Sequence, residues 1–126
     1  MIRFQKTVKS SQQLGRLGEK TATGFLIEKG YRILQKNYRC KIGEIDIIAV
    51  QNEYIVFVEV KSRFLGKDRI NPLISVTKAK QKRIRTIGSL YLAQNNIIHQ
   101  QPRFDVIAIT FESNTRYSLE HIENAF

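Results

Sequence analysis

The sequence predicts an α/β fold in which a central mixed sheet is flanked by helices, in the order α-β-β-β-α-β-β. Two segments carry apolar residues at helical spacing, and five others are rich in β-branched and aromatic residues. The length of 126 residues, with 42% hydrophobic and 25% charged residues, fits one globular domain. We therefore expect a single domain over residues 1–126, with a flexible basic N-terminus over 1–12.

The first helix is predicted over Ser11–Glu28. Ser10 or Ser11 can cap its start, and Gly30 suits a left-handed residue that ends it. Its apolar stripe consists of Leu14, Leu17, Ala22, Phe25 and Leu26. Gly15 and Gly18, inside this helix, cost roughly 1 kcal/mol each relative to Ala, so we expect them to allow close approach of the sheet or of DNA.

The remaining elements follow from the alternation of apolar and polar segments. A short edge strand is predicted over 31–37, and strands over 44–50 and 54–62 form a hairpin. A polar loop over 63–71 leads to a second helix from Ser75 to about Gln94, with Val76, Ala79, Ile84, Ile87, Tyr91 and Leu92 near one side. Two closing strands are predicted over 103–111 and 117–122, and Asp105 is expected to pair with Arg103 or to support the fold.

The hairpin has a testable register. A two-residue turn at Asn52-Glu53 would pair Val50 with Ile55, Ile48 with Phe57, Asp46 with Glu59, and Glu44 with Lys61, all on one face. The opposite face would carry Ile45, Ile47, Ala49, Val56, Val58 and Val60. Both faces are apolar over most of the hairpin, which is typical of covered central strands, and charges emerge only at one end.

The charged end of the hairpin is the first candidate for chemistry. In this register the Cβ atoms of Asp46 and Glu59 would lie about 4.5 to 5.5 Å apart. Two carboxylates so close repel each other unless one is protonated or a cation lies between them, and their oxygens suit Mg²⁺ or Mn²⁺. Lys61 could hold a metal-bound water or stabilise charge on a phosphoryl oxygen. The alternative is a surface charge ladder without catalytic function, and the pattern alone leaves both open.

The charge of the chain indicates a polyanionic partner. The net charge of +10 and the pI near 10.0 favour nucleic acid or an anionic membrane. No apolar, Trp-bearing amphipathic face supports a membrane, so nucleic acid is preferred. Basic residues crowd the first half of the second helix, where the helix dipole disfavours them, although a solvated helix face is the alternative interpretation. The residues expected to contact nucleic acid are Arg63, Lys78, Lys80, Lys82 and Arg85.

Cysteine usage and hydropathy indicate the compartment. Cys40 is the lone cysteine, so it forms no internal disulfide and belongs to no Cys-x-x-Cys motif. No apolar run is long enough for a signal peptide or a membrane span. We therefore expect a cytoplasmic protein with no membrane association.

The whole sequence resembles a known family. The order and spacing of its motifs are similar to those of the YraN-type family of small bacterial proteins, within the PD-(D/E)XK or restriction-endonuclease-like nuclease superfamily. This family is related in fold to archaeal Holliday junction resolvases. The matching blocks lie at 15–19 (GRLGE), 43–46 (GEID), 57–63 (FVEVKSR), 80–84 (KQKRI), 103–106 (RFDV) and 124–126 (NAF).

The resemblance implies a restriction-endonuclease-like core and a metal-dependent nuclease site. Asp46 and Glu59 would bind Mg²⁺ or Mn²⁺, and Lys61 would serve the attacking water. Glu19 would approach as a further acidic ligand, and Gln81 matches a polar position that borders the active site in this superfamily.

The implied function is a divalent-metal-dependent endonuclease acting on branched or structured DNA, as in Holliday junction resolvases. Paired incisions on two strands would favour a homodimer. The alternative is a nucleic-acid-binding module on a nuclease fold, non-catalytic or dependent on a partner protein, because a fold carries function only through an intact site.

Overall fold

The computed structural model describes residues 10–66 and 76–126 as two helices and five strands. The helices are α1 (Ser11–Glu28) and α2 (Lys78–Gln94); the strands are β1 (Arg32–Cys40), β2 (Gly43–Gln51), β3 (Tyr54–Phe64), β4 (Gln101–Phe111) and β5 (Tyr117–Ile122). The chain order α-β-β-β-α-β-β confirms the predicted α/β fold. Within the described part of the chain, neither helix is long and apolar enough to span a membrane.

The first helix has the predicted bounds and caps. The Ser10 hydroxyl accepts a hydrogen bond from the backbone N–H of Gln13 at 3.1 Å, which satisfies one of the free donors at the helix start. Gly30 follows the helix with a φ of 90°, in the left-handed region. The expected flexible segment over 1–12 is wrong for Ser11 and Gln12, because both are helical, and residues 1–9 lie outside the described residues.

The strands form one sheet in the order β1-β2-β3-β4-β5. The β3–β4 pair is parallel and the other three pairs are antiparallel, so the sheet is mixed as predicted. A parallel neighbour requires the chain to cross over the sheet, and α2 lies in this connection. The predicted polar loop over 63–71 begins too early, because β3 continues to Phe64; residues 67–75 lie outside the described residues.

Each face of the sheet is covered by one helix. The face toward α1 packs Ala22 and Leu26 against Ile47, Val58 and Ile109. The face toward α2 buries a second cluster that consists of Ile45, Ile48, Ile55, Phe57, Val76, Ile84, Ile87, Tyr91 and Val106. The central strands are therefore covered on both sides, and polar side chains reach solvent mainly where the strands end.

Close approach of α1 to the sheet depends on Gly18. A Cβ atom built at this glycine would lie 1.8 Å from Ser62 Oγ and 3.0 Å from Ser62 Cβ. Any side chain here would collide with β3, so the absence of one sets the distance between helix and sheet. The expected close approach of the sheet is confirmed at Gly18 but not at Gly15, where a Cβ atom would meet nothing within 4 Å.

A buried ion pair anchors the start of β4, as predicted for Arg103 and Asp105. The guanidinium of Arg103 donates to both Asp105 carboxylate oxygens, at 3.0 and 2.8 Å, and to the Tyr31 hydroxyl at 2.6 Å. His121 Nε2 lies 2.8 Å from Asp105 Oδ2, and the backbone N–H of Asn124 donates to Oδ1 at 2.9 Å. This network joins β4 to β5 and to Tyr31, the residue that precedes β1.

Candidate active site

The β2–β3 hairpin has the predicted register in its apolar part. Residues 47–51 pair with 54–58, including Ile48 with Phe57 and Val50 with Ile55. The backbone pairing with β3 stops before Asp46, whose carboxylate instead accepts a hydrogen bond from the backbone N–H of Val60 at 2.7 Å. A side chain thus replaces a main-chain acceptor at the point where the two strands separate.

The predicted face of Ile45 is wrong. It was expected on the same face as Ile47, but it packs in the cluster under α2, together with Ile48. In β1 the residue between the partners of Ile45 and Ile47 is Asn37, which has a φ of 54°. The irregular backbone here breaks the strict alternation of faces on which the prediction depended.

Glu59 is the most buried carboxylate of this region, with 8% of its surface exposed. Its Oε2 lies 3.3 Å from Lys61 Nζ on the same strand, and it forms a second ion pair with Lys80 from the first turn of α2. Both ammonium groups therefore converge on one carboxylate oxygen.

The electrostatics of the site follow from burial and from like charges. Burial and the negative charge of Glu59 raise the pKa of Asp46 to about 7. Burial is also the main cause that lowers the pKa of Lys61. Burial opposes the charged form of Lys80 too, but hydrogen bonds with Glu59 and Lys61 outweigh it and raise the pKa of Lys80. Asp46 and Glu59 thus form an interacting carboxylate pair. The cross-strand pairing predicted for these two residues, and for Glu44 with Lys61, is wrong, because the β2–β3 ladder ends at Ile47 and Val58.

These groups open into a cleft of about 360 Å³ between the end of the hairpin and α2. The charged and polar lining comes from both elements, and the floor is apolar. The residues around it are Gly43, Glu44, Asp46, Glu59, Val60, Lys61, Lys80, Arg83, Ile84 and Ile87. Three of the predicted catalytic residues, Asp46, Glu59 and Lys61, are therefore brought together.

Glu19 lies near this cleft but does not line it. Burial raises the pKa of Glu19, a hydrogen bond with Asn37 lowers it, and the charge of Glu19 contributes in turn to the raised pKa of Asp46. Among residues 10–66 and 76–126, no three Asp, Glu, His or Cys side chains converge closely enough to hold a metal ion. The carboxylates that interact closely are those of Asp46 and Glu59, and the charge of Glu19 acts on Asp46 from a greater distance.

Gln81 is not brought into the cleft. Its amide Nε2 donates to the backbone carbonyl of Val76 at 3.0 Å, so the side chain closes the turn that precedes α2. Gln81 also does not appear among the residues that surround the cleft. Its expected place at the active site remains a prediction that this geometry does not support.

The predicted nucleic-acid-binding residues separate into different environments. Lys78 and Lys82 are exposed on α2, and the guanidinium of Arg85 lies 5.6 Å from the ring centroid of Phe126. Arg63 donates from Nε to Thr110 Oγ1 on β4 at 3.0 Å. Lys80, also expected to contact nucleic acid, reaches into the cleft and pairs with Glu59.

Sequence reasoning missed Arg83 as a residue of the cleft. Arg83 lies one helical turn after Lys80, and its side chain passes within 3.3 Å of the position that a Cβ atom on Gly43 would take. The spacing of three residues from Lys80 was the available signal, because side chains at i and i+3 share a helix face. This spacing predicts a place in the cleft only when it is known which face of α2 meets the hairpin.

The fold and the cleft define an α/β protein with a carboxylate pair and two lysines at the open end of a central hairpin. The chain belongs to the uncharacterised protein family UPF0102, whose model matches residues 18–109. This confirms the expected YraN-type family.

Relatives of similar length carry the same family name. A UPF0102 protein of Pelobacter propionicus is 46% identical over 92% of this chain and 84% of its own. One of Caldanaerobacter subterraneus subsp. tengcongensis is 44% identical over 93% of this chain and 97% of its own. One of Chlorobium phaeobacteroides is 48% identical over 90% of this chain and 93% of its own.

Proposed function

We propose that this protein is a divalent-metal-dependent endonuclease that hydrolyses phosphodiester bonds in branched or structured DNA. The observation that carries the proposal is the convergence of Asp46, Glu59 and Lys61 in one cleft beside a basic helix. A pair of carboxylates and a lysine at the end of a central hairpin is the arrangement that metal-dependent phosphodiester hydrolysis needs.

The carboxylates fit a divalent metal by their chemistry. Asp46 and Glu59 are hard oxygen donors, and burial together with the charge of Glu59 raises the pKa of Asp46 to about 7. A dication relieves such repulsion, and oxygen ligands suit Mg²⁺ or Mn²⁺. Asp46 and Glu59 would therefore hold the metal, and Glu19, which adds negative potential at Asp46, would strengthen the attraction.

Each residue of the cleft has a part in the reaction. Bound Mg²⁺ or Mn²⁺ supplies a Lewis acid for the phosphoryl oxygen and for the attacking water. Lys61, held 3.3 Å from the Glu59 carboxylate, would orient the water that attacks phosphorus while the bond to the leaving oxygen on the far side breaks. Arg83 at the rim would bind a phosphate of the same strand, because its guanidinium suits phosphate oxygens.

The basic face of α2 supports DNA as the substrate. Lys78 and Lys82 are exposed on the helix that also supplies Lys80 and Arg83 to the cleft. Contacts of this kind bind phosphates without reading bases, which suits recognition by the shape of the DNA. Replacing Lys82 by Gln should weaken DNA binding equally for all sequences and lower the salt slope of binding by about 1.

A cleavage assay tests the proposal. Duplex, single-stranded, flap and four-way-junction DNA are incubated with Mg²⁺, Mn²⁺ or EDTA. Asp46→Asn and Glu59→Gln should each reduce cleavage at least about 100-fold and leave binding in EDTA within a few fold. Glu53→Gln is the matched control, since Glu53 is an exposed carboxylate at the opposite end of the same hairpin. Equal cleavage by wild type, Asp46→Asn and Glu53→Gln would contradict the assignment.

A second candidate function is a nucleic-acid-binding module that does not cleave. The observation that favours it is that Lys61 and Lys80 already neutralise Glu59 within the protein, as in a purely structural charge cluster. This candidate predicts salt-sensitive binding to every DNA of the panel, unchanged by Asp46→Asn, without metal-dependent turnover. The same set of reactions therefore separates the two candidates.

A further inference from the structure

We propose that Lys80 is an internal counter-cation that holds Glu59 while the cleft is free of metal and transfers to a substrate phosphate when metal binds. The inference rests on the proposed function and adds a role that Lys80 does not have as a surface residue of α2. It follows from the ion pair with Glu59, from the charge of the cleft and from the place of Lys80 on the crossover helix.

The ion pair places Lys80 where it competes with a metal. Lys80 Nζ contacts the same oxygen, Oε2, that Lys61 contacts, and the Glu59 side chain is only 9% exposed. Carboxylate oxygens that face an ammonium group are less available to a dication, because the two cations repel each other at that distance. Metal binding at Glu59 therefore has to displace at least one ammonium group.

Lys80 is the ammonium that is free to leave. Lys61 extends from the same strand as Glu59, two residues along, and its side chain is 26% exposed. Lys80 extends from the first turn of α2 and is 35% exposed, so its flexible stem can move without displacing the strand that carries Glu59. When Glu59 binds a metal, the ammonium of Lys80 swings toward the open part of the cleft, which Arg83 also borders.

The summed charge of the cleft explains how this exchange would favour the reaction. Asp46, Glu59, Lys61 and Lys80 together are neutral when all four are ionised, so the metal-free pocket holds no large field. A dication raises the total to +2, which matches the two negative charges of a phosphodiester to which water has added with loss of one proton to solvent. Lys80 then contributes its charge where it develops in the transition state rather than at Glu59.

Metal binding alone tests the exchange without any cleavage. The Kd of Mn²⁺ is measured by electron paramagnetic resonance, without DNA, for wild type, Lys80→Gln, Lys80→Arg and Lys82→Gln. Lys80→Gln should bind Mn²⁺ about threefold more tightly or better, and Lys80→Arg should stay near wild type. Lys82→Gln removes the same charge from an exposed position on the same helix, so it corrects for the general loss of positive charge. The inference would be overturned if Lys80→Gln bound Mn²⁺ no more tightly than Lys82→Gln does.

DNA binding tests the second half of the exchange. The Kd for a four-way junction is compared in EDTA and in Ca²⁺, which occupies oxygen sites and supports little cleavage. Lys80→Gln should lose affinity in Ca²⁺ and much less in EDTA, whereas Lys82→Gln should lose the same factor in both. Equal losses by Lys80→Gln in both buffers would overturn the transfer to phosphate.

The two proposals fail differently. Absence of Mn²⁺ binding to wild type and to Lys80→Gln alike would overturn the metal site itself, and with it the exchange. Mn²⁺ binding that Asp46→Asn abolishes but Lys80→Gln leaves unchanged would retain the metal site and overturn only the role of Lys80.

Discussion

Gly18→Ala is a sharp test of how α1 lies against the sheet. The added Cβ would fall 1.8 Å from Ser62 Oγ and 3.0 Å from Ser62 Cβ. Rotating the serine hydroxyl removes the first clash but not the second, so the helix must move by about 0.5 Å to restore ordinary contact. Such overpacking costs roughly 1–3 kcal/mol, against a gain of roughly 1 kcal/mol from helix propensity.

Gly24→Ala provides the matched control within the same helix. A Cβ at Gly24 meets nothing within 4 Å, so only the propensity gain of roughly 1 kcal/mol remains. We expect Gly18→Ala to be less stable than Gly24→Ala by about 1–3 kcal/mol in urea denaturation followed by circular dichroism. The two proteins differ only in where one methyl group is added.

A double-mutant cycle with Ser62→Gly locates the cause. Ser62→Gly removes both clashing atoms and leaves Val60 Cγ1 at 3.5 Å as the nearest contact. In that background Gly18→Ala should stabilise the protein, as Gly24→Ala does in wild type, with a coupling of about 1–3 kcal/mol. Equal stabilities of Gly18→Ala and Gly24→Ala in the wild-type background would refute the reasoning about close approach.

The remaining predictions concern stability. Asp105→Asn should lower the free energy of unfolding at pH 7 by about 3–5 kcal/mol in urea denaturation, because it leaves the buried Arg103 with only the half-exposed Glu123, at 3.5 Å, as an anion; a loss below 1 kcal/mol would contradict this. Burial would raise the pKa of Asp105, but hydrogen bonds with His121 and Arg103 outweigh it and lower that pKa. The ionised Asp105 therefore stabilises the fold fully at pH values above its unfolded pKa of about 3.9, and this stabilisation should be lost as the pH falls through its folded pKa. An acid titration of stability should show this loss in wild type and not in Asp105→Asn. Thr77→Ala should cost about 1 kcal/mol, since Thr77 Oγ1 accepts from the backbone N–H of Lys80 at the start of α2; thermal unfolding that matches wild type would argue against the cap.

The order of the elements and most of their bounds followed from the sequence. α1 and β5 have the predicted bounds, because Ser10 and Gly30 mark the helix and turn residues precede the last strand. The second helix was placed three residues too early, since the cap is Thr77 and not a residue before Ser75. β1 runs three residues past the predicted end at Asn37, and the strand continues through that residue despite its φ of 54°.

The candidate site was predictable as far as the hairpin determined it. Asp46, Glu59 and Lys61 lie within one hairpin, so the length of its turn was enough to place them at the same end of it. Lys80 and Gln81 come from α2, whose rotation about its axis depends on tertiary packing. The sequence therefore did not show that Lys80 pairs with Glu59, and it predicted an active-site position for Gln81, which instead bonds to Val76.

The parallel β3–β4 pair has a consequence for folding. The carboxylates come from one hairpin, which closes over a two-residue turn, whereas Lys80 arrives only when α2 crosses over and β4 adds beside β3. Contacts distant along the chain form more slowly than local ones, because the intervening loop must close first. Asp46, Glu59 and Lys61 are thus expected to come together before Lys80 arrives, and divalent cations present during refolding would accelerate hairpin formation by stabilising two carboxylates that still lack Lys80.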